Sequence, residues 1–424
     1  MPDATPAIHT LPNGVRVVCD PMPGLETLAL SVVVGRGSRW ETPAQSGWAH
    51  LLEHMVFKGA GDRSAKDIVE VVEAQGGQIN AATGHDRTSY QVRALRDGLT
   101  LGAEVIADLV WRPTLRADDL EREKTVINQE IAEAADTPDD LVFELAQNQA
   151  FAGQPLGRPI LGAPKTVGAA TADDLKAFHA GLYGPDAIVI GAAGAVDEGE
   201  VLRLAERLFS EGAKAPPLPA ESPASFVGGQ STKAKSLEQA HLVLLLPAFG
   251  VRDPDYFALR LFAEILGGGM SSRLFQEVRE HRGLAYAIDA YADTHSDAGV
   301  LGVYAGTSAE DATQAAQVAA GQVKAMVQGV EPPELARAKA QMKSATFMAR
   351  ESALARAEQA AGQVLVFDRL FSPAETAQSI DEVTADDIVR VGQRILADKV
   401  CACAVLGPKR SAGAGRAYED ALFG

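Results

Sequence analysis

The second half of this chain repeats the plan of the first, and no other feature limits its fold as strongly. "TADDL" at 171–175 precedes a helical stretch and the strand-like "AIVIGAAG"; "TADDI" at 384–388 precedes a helical stretch and "VCACAVLG". Earlier in each half a helix ends on glycine, at Gly59 and Gly267, and is followed by a second amphipathic helix, glycine and a strand. Both correspondences share an offset of about 210 residues, the mark of a duplicated domain. A chain of 424 residues is also too long for one ordinary core. Between the copies, residues 211–236 carry Pro, Gly, Ser and Ala without an apolar period, which is linker composition. The expected domains are therefore 1–215 and 237–424, joined by a linker at 216–236.

Each half mixes strands and helices. "VRVVCD" and "LALSVVVG" read as strands, and "QINAAT" with "RTSYQVRAL" as a hairpin. "SAKDIVEVVEAQGG" reads as a helix started by a Ser64/Asp67 capping pair and stopped at Gly76. "DDLEREKTVINQEIAEAAD" is a long acidic helix ending before Pro138. Hairpins interleaved with helices predict an α+β fold, each domain a mixed or antiparallel sheet packed with helices.

Charge and composition narrow the function. A formal charge of −17 repels phosphate backbones, so nucleic acid is not expected as a partner. No apolar run approaches the roughly 18 residues of a membrane span. The N-terminal stretch has neither a basic start nor an apolar core of the secretory type, so the expected address is the cytoplasm. Cys19, Cys401 and Cys403 form no disulfide framework and are expected as buried thiols.

The chemistry concentrates in "GWAHLLEHMVFKG", residues 47–59. Trp48, Leu52 and Met55 recur at helical spacing as a buried stripe. His50 and His54, i and i+4, stack on a neighbouring face with Glu53 beside them. Two imidazoles and a carboxylate suit a metal, though HxxEH arises by chance in about one such chain per hundred. Zinc needs a third protein ligand and an open position. Glu123 and Glu130 stand two turns apart on one helix face, with Val126 and Ile127 between them to bury that helix. One glutamate can ligate the metal, and the other can orient a ligand. Histidines 9, 85, 179, 241, 281 and 295 have no metal-spaced partners.

At these residues the sequence resembles the pitrilysin, or insulinase, family of zinc peptidases. It is most similar to members with one pair of domains per chain, such as the catalytic subunit of mitochondrial processing peptidase. "GSRWE" at 37–41, "HLLEHMVFKG" at 50–59, "GGQINAAT" at 76–83, "PLGRPILG" at 155–162 and "EQAHLVLLLP" at 238–247 also match. The resemblance implies the fold that LuxS shares with the processing peptidases. It implies one zinc per chain held by His50, His54 and Glu130, with Glu123 orienting a ligand and Glu53 as general base. The second domain would lack metal ligands and supply Arg279 and Tyr286 to catalysis. Asn80 and Ala81, on an expected edge strand, would contact an extended substrate. The family architecture further implies a homodimer enclosing a chamber for short or unfolded polypeptides.

Overall fold

A computed structural model describes residues 6–210, 212 and 223–424. The first half opens with strands β1 (Ile8–Thr10), β2 (Arg16–Pro21) and β3 (Thr27–Val34), then helix α1 (Trp48–Val56). A small hairpin of β4 (Gly59–Ala60) and β5 (Arg63–Ser64) leads into α2 (Ala65–Glu73). The hairpin β6 (Gln78–Thr83) and β7 (Thr88–Leu95) precedes α3 (Leu99–Trp111), α4 (Ala117–Asp136) and α5 (Pro138–Ala150). Helices α6 (Pro164–Ala169) and α7 (Ala172–Leu182), strand β8 (Ile188–Gly194) and α8 (Glu198–Phe209) complete this half. The second half begins with β9 (Gly229–Ala234), β10 (Ala240–Phe249), α9 (Tyr256–Gly267), β11 (Ala285–Thr294) and β12 (Ala298–Thr307). After it come α10 (Ala312–Gln328), α11 (Pro332–Ala349), α12 (Ala353–Phe367), α13 (Pro373–Glu382), α14 (Ala385–Leu396), β13 (Ala402–Gly407) and α15 (Ala414–Phe423).

The local signals act as the sequence suggests. Ser64 and Asp67 form a reciprocal capping box at the start of α2. Thr171 and Thr384, from the repeated "TADD" stretches, accept the N–H of Asp174 and Asp387 and start α7 and α14. Pro138 ends α4 and takes the first position of α5, where its missing N–H is no loss.

The duplication is explicit in the sheets. The first has the order β1-β2-β8-β3-β7-β6, and the second β11-β12-β10-β13-β9. Read from opposite ends, β2-β8-β3-β7-β6 corresponds to β9-β13-β10-β12-β11. The β2/β8 and β13/β9 pairs are parallel, and the remaining correspondences are antiparallel. This is the expected α+β class. The linker runs shorter than expected: Gly229–Ala234 is an edge strand whose partner is β13, and residues 216–222 of the expected segment lie outside the described residues. A polar edge strand with one partner has no apolar alternation to reveal it.

The chain forms two compact units, and they are not its two halves. The first takes residues 1–131, 159–221 and 346–373; the second takes 132–158, 222–345 and 374–424. The reason is two-sided burial. Strand β3 buries residues on both faces. Leu28, Leu30, Val32 and Val34 join the core beneath α1 and α3, whereas Ala29 and Val33 pack against Ala357, Ala360, Ala361 and Val364 of α12. The second sheet is covered likewise by α5, whose Leu141, Val142 and Ala146 meet Val243, Leu245, Ala402 and Ala404. Each sheet thus completes its second face with a helix from the other half of the chain. Among the described residues no helix is long and apolar enough to cross a membrane.

Candidate active site

Helix α1 carries the site, and its start is unusually well held. Gly47 opens it with φ 92°, a left-handed conformation that glycine adopts without strain. A Cβ there would come within 2.6 Å of the Leu161 carbonyl oxygen. With no side chain at that cap, the buried Glu41 carboxylate reaches in: it accepts the N–H of Gly47 at 3.0 Å and of Ala49 at 2.8 Å. Trp48 Nε1 donates to the Thr166 carbonyl at 3.0 Å. The "GSRWE" and "PLGRPILG" stretches therefore meet at the start of this helix. Leu51, Leu52, Met55 and Val56 bury its other face completely.

His50 and His54 emerge one turn apart, ring centroids 4.6 Å from each other. Helix α4 brings the carboxylate. Leu120, Glu123, Ile127 and Glu130 share one face, with Leu120 and Ile127 in the core. Val126, expected to help bury this helix, is 38% exposed, because adjacent helical residues point about 100° apart. Glu130 Oε2 stands 3.7 Å from His50 Nε2 and 3.6 Å from His54 Nε2. His50, His54 and Glu130 are the one group among the described residues whose ligand atoms converge within 4.8 Å of one another. Two ligands of a tetrahedral zinc, each about 2.0–2.1 Å from it, lie about 3.4 Å apart. The observed spacings need little adjustment, so the donor set fits zinc.

The surrounding groups are placed to tune these ligands. His54 Nδ1 faces Glu123 Oε2 at 3.2 Å, and Glu123 Oε1 accepts from Lys58 Nζ at 2.7 Å. Burial, reinforced by the neighbouring His54, pushes the His50 imidazole down to about 4. It is neutral at pH 7, with a lone pair to offer a cation. Burial raises the Glu53 carboxyl against hydrogen bonds from Thr83, and Glu53 Oε2 is buried without a hydrogen-bond partner.

An open groove runs from Glu53 and His54 past Phe57 and Lys58 to β6, where Asn80 and Ala81 line it. Strand β6 is the sheet's edge, paired with β7. Asn80 is exposed and Ala81 buried, so alternate side chains face out and in. The first unit thus assembles His50, His54, Glu53, Glu123 and Glu130, with Asn80 and Ala81 on the same groove. In the second unit Arg279 sits on a π-helical turn, Phe275–His281, and its guanidinium lies 5.3 Å over the ring of Tyr286 on β11. That unit's α9 occupies the place of α1 and carries no histidine. Glu41 and Lys58 were not singled out by sequence reasoning. Both lie in stretches that match the family, "GSRWE" and "HLLEHMVFKG", but the match gave neither residue a role.

Two histidines and a carboxylate that could together hold a metal, in a duplicated α+β chain, define a class, and comparison with known proteins specifies it. The family described as insulinase, peptidase family M16, matches residues 16–164, and the one described as the peptidase M16 inactive domain matches 169–342. An uncharacterized zinc protease of Rickettsia bellii is 37% identical over 96% of this chain and 98% of its own. Another from Streptomyces coelicolor is 33% identical over 97% and 91%. In fold, the crystal structure of a protease from Helicobacter pylori aligns with a TM-score of 0.89 over 96% of this chain and 100% of its own, at 23% identity. The chain belongs to the M16, or insulinase, family of peptidases, the pitrilysin relatives its sequence resembles.

Proposed function

We propose that the protein is a zinc-dependent endopeptidase that cleaves short or unfolded polypeptides, as a cytoplasmic homodimer with an enclosed chamber. The observation that carries the reading is the convergence of His50, His54 and Glu130 within 4.8 Å, with the unpartnered oxygen of Glu53 beside it. Zinc in that donor set would polarise a peptide carbonyl and acidify a water. The protein's own groups do the rest. Glu53 takes the proton of the attacking water and returns it to the departing amine. The free edge of β6 pairs with the extended substrate main chain, Asn80 and Ala81 setting its register. Arg279 and Tyr286 act together as donors to the substrate's peptide groups, a role supported by family resemblance and by their close pairing.

The test joins metal analysis of the purified chain to cleavage of a quenched peptide with and without chelator. Wild type should carry one zinc and lose cleavage on chelation. Glu53→Gln should keep the zinc and lose at least about 10²-fold in kcat. Full activity of Glu53→Gln rejects the base assignment. A zinc-loaded wild type that is inactive until another chain is added would make it a partner-dependent subunit instead.

A further inference from the structure

Glu123 is 4% exposed yet carries a carboxylate beside the metal centre. A buried charge is tolerated where it is paired and hydrogen-bonded. Its two oxygens are divided between two partners, Oε2 facing His54 Nδ1 and Oε1 accepting from the Lys58 ammonium. Lys58 lies just past the end of α1, its N–H bonded to the Met55 carbonyl, and its side chain is 34% exposed on the groove wall. One long side chain therefore links the groove to a ligand histidine through a buried carboxylate.

We infer that Lys58 is a positioning residue for the metal centre. Its ion pair holds one oxygen of Glu123, so that the other must face His54 Nδ1. The last torsion of a glutamate is broad and needs a second point of attachment to define it. Which nitrogen of a histidine carries the proton is set by the bond the other makes. A fixed acceptor at Nδ1 keeps the proton there and leaves His54 Nε2 bare towards Glu130. This inference rests on the metal-centre reading above. Its direction is opposite to what charge alone gives. A cation this near repels a dication, so deleting Lys58 as a mere charge would tighten zinc binding, whereas deleting it as a clamp loosens zinc.

The experiment measures zinc affinity of the full-length chain by competition with a chelator. Lys58→Met should bind zinc about 10-fold more weakly. Lys58→Arg, whose guanidinium also donates to carboxylates, should stay within about 3-fold of wild type. Combining Lys58→Met with Glu123→Gln should be no worse than Glu123→Gln alone, since both break one linkage. Unchanged or tighter zinc binding by Lys58→Met, or additive losses in the double variant, would overturn the inference. A wild type that binds no zinc overturns the reading beneath it, and this inference too; a zinc-binding wild type with an unaffected Lys58→Met overturns this inference alone.

Discussion

Tyr286 illustrates how a single residue separates function from packing. It is 76% exposed, too open to contribute to a core, and its ring is covered on one side by Arg279. A large aromatic kept in water with a cation over its face is placed for contact rather than for burial. Tyr286→Phe should leave zinc content and melting temperature unchanged and lower kcat by about 10²-fold, the loss typical of one removed oxyanion donor. Steady-state kinetics beside metal analysis would check it, and an unaltered kcat would leave Tyr286 with no catalytic part. The histidine pair was legible because it repeats at short range, whereas Tyr286 and the choice of Glu130 over Glu123 came from the family resemblance. His50 and His54 share one helix face, and Glu130 lies two turns from Glu123. Lys58 and Glu41 were not legible, because their roles depend on where a long side chain ends after α1 meets its neighbours. Val126 and Ile127 show the same limit: spacing marks a buried face and misses which of two adjacent residues fills it.

At the scale of an element, the repeated "TADD" stretches were readable as preceding a helix, and the structure makes each of them a cap. The Thr384 N–H donates to Asp387 Oδ2 at 2.8 Å, and the Asp387 N–H donates to Thr384 Oγ1 at 3.2 Å. Bonds from Thr384, helped by Arg390, hold the Asp387 carboxyl down at about 2. A carboxylate depressed in the folded state stabilises it fully above its unfolded value of 3.8, and that stabilisation is lost as pH falls through about 2. Thr384→Ala should therefore cost about 1 kcal/mol at pH 7. The difference from wild type should narrow between pH 4 and 2 without vanishing, since the threonine oxygen still accepts the Asp387 N–H there. Denaturant unfolding across that range, with amide exchange in α14, would read it; a gap that widens on acidification would contradict the assigned bond. Strand β9 escaped notice for the converse reason. Its sequence, "GQSTKA", is polar, and it is a strand because β13 offers an edge rather than because of its own pattern.

For the whole molecule, two matching offsets pointed to the duplication, but nothing pointed to the exchange of helices. An amphipathic helix declares that it has an apolar face and does not say which sheet that face will cover. Here α12 closes the sheet of the first unit and α5 that of the second, so the break at the linker is not a break between folding units. Residues 1–215 made alone would leave Val18, Val33 and Val189 without their cover from α12. At about 1.5–3 kcal/mol for each exposed valine, the loss rivals the roughly 5–15 kcal/mol that holds a domain together. The fragment would also lose the paired hydrogen bonds, both 2.6 Å, from Arg356 to the buried Asp20. Residues 237–424 alone would likewise lack α5 over Val243, Leu245 and Ala402. Each fragment expressed separately should show no cooperative thermal transition, whereas co-expression of both should restore one together with zinc binding. A separate 1–215 fragment that melts cooperatively at the temperature of the intact chain would mean that α12 is dispensable, and that the chain's midpoint divides the fold after all.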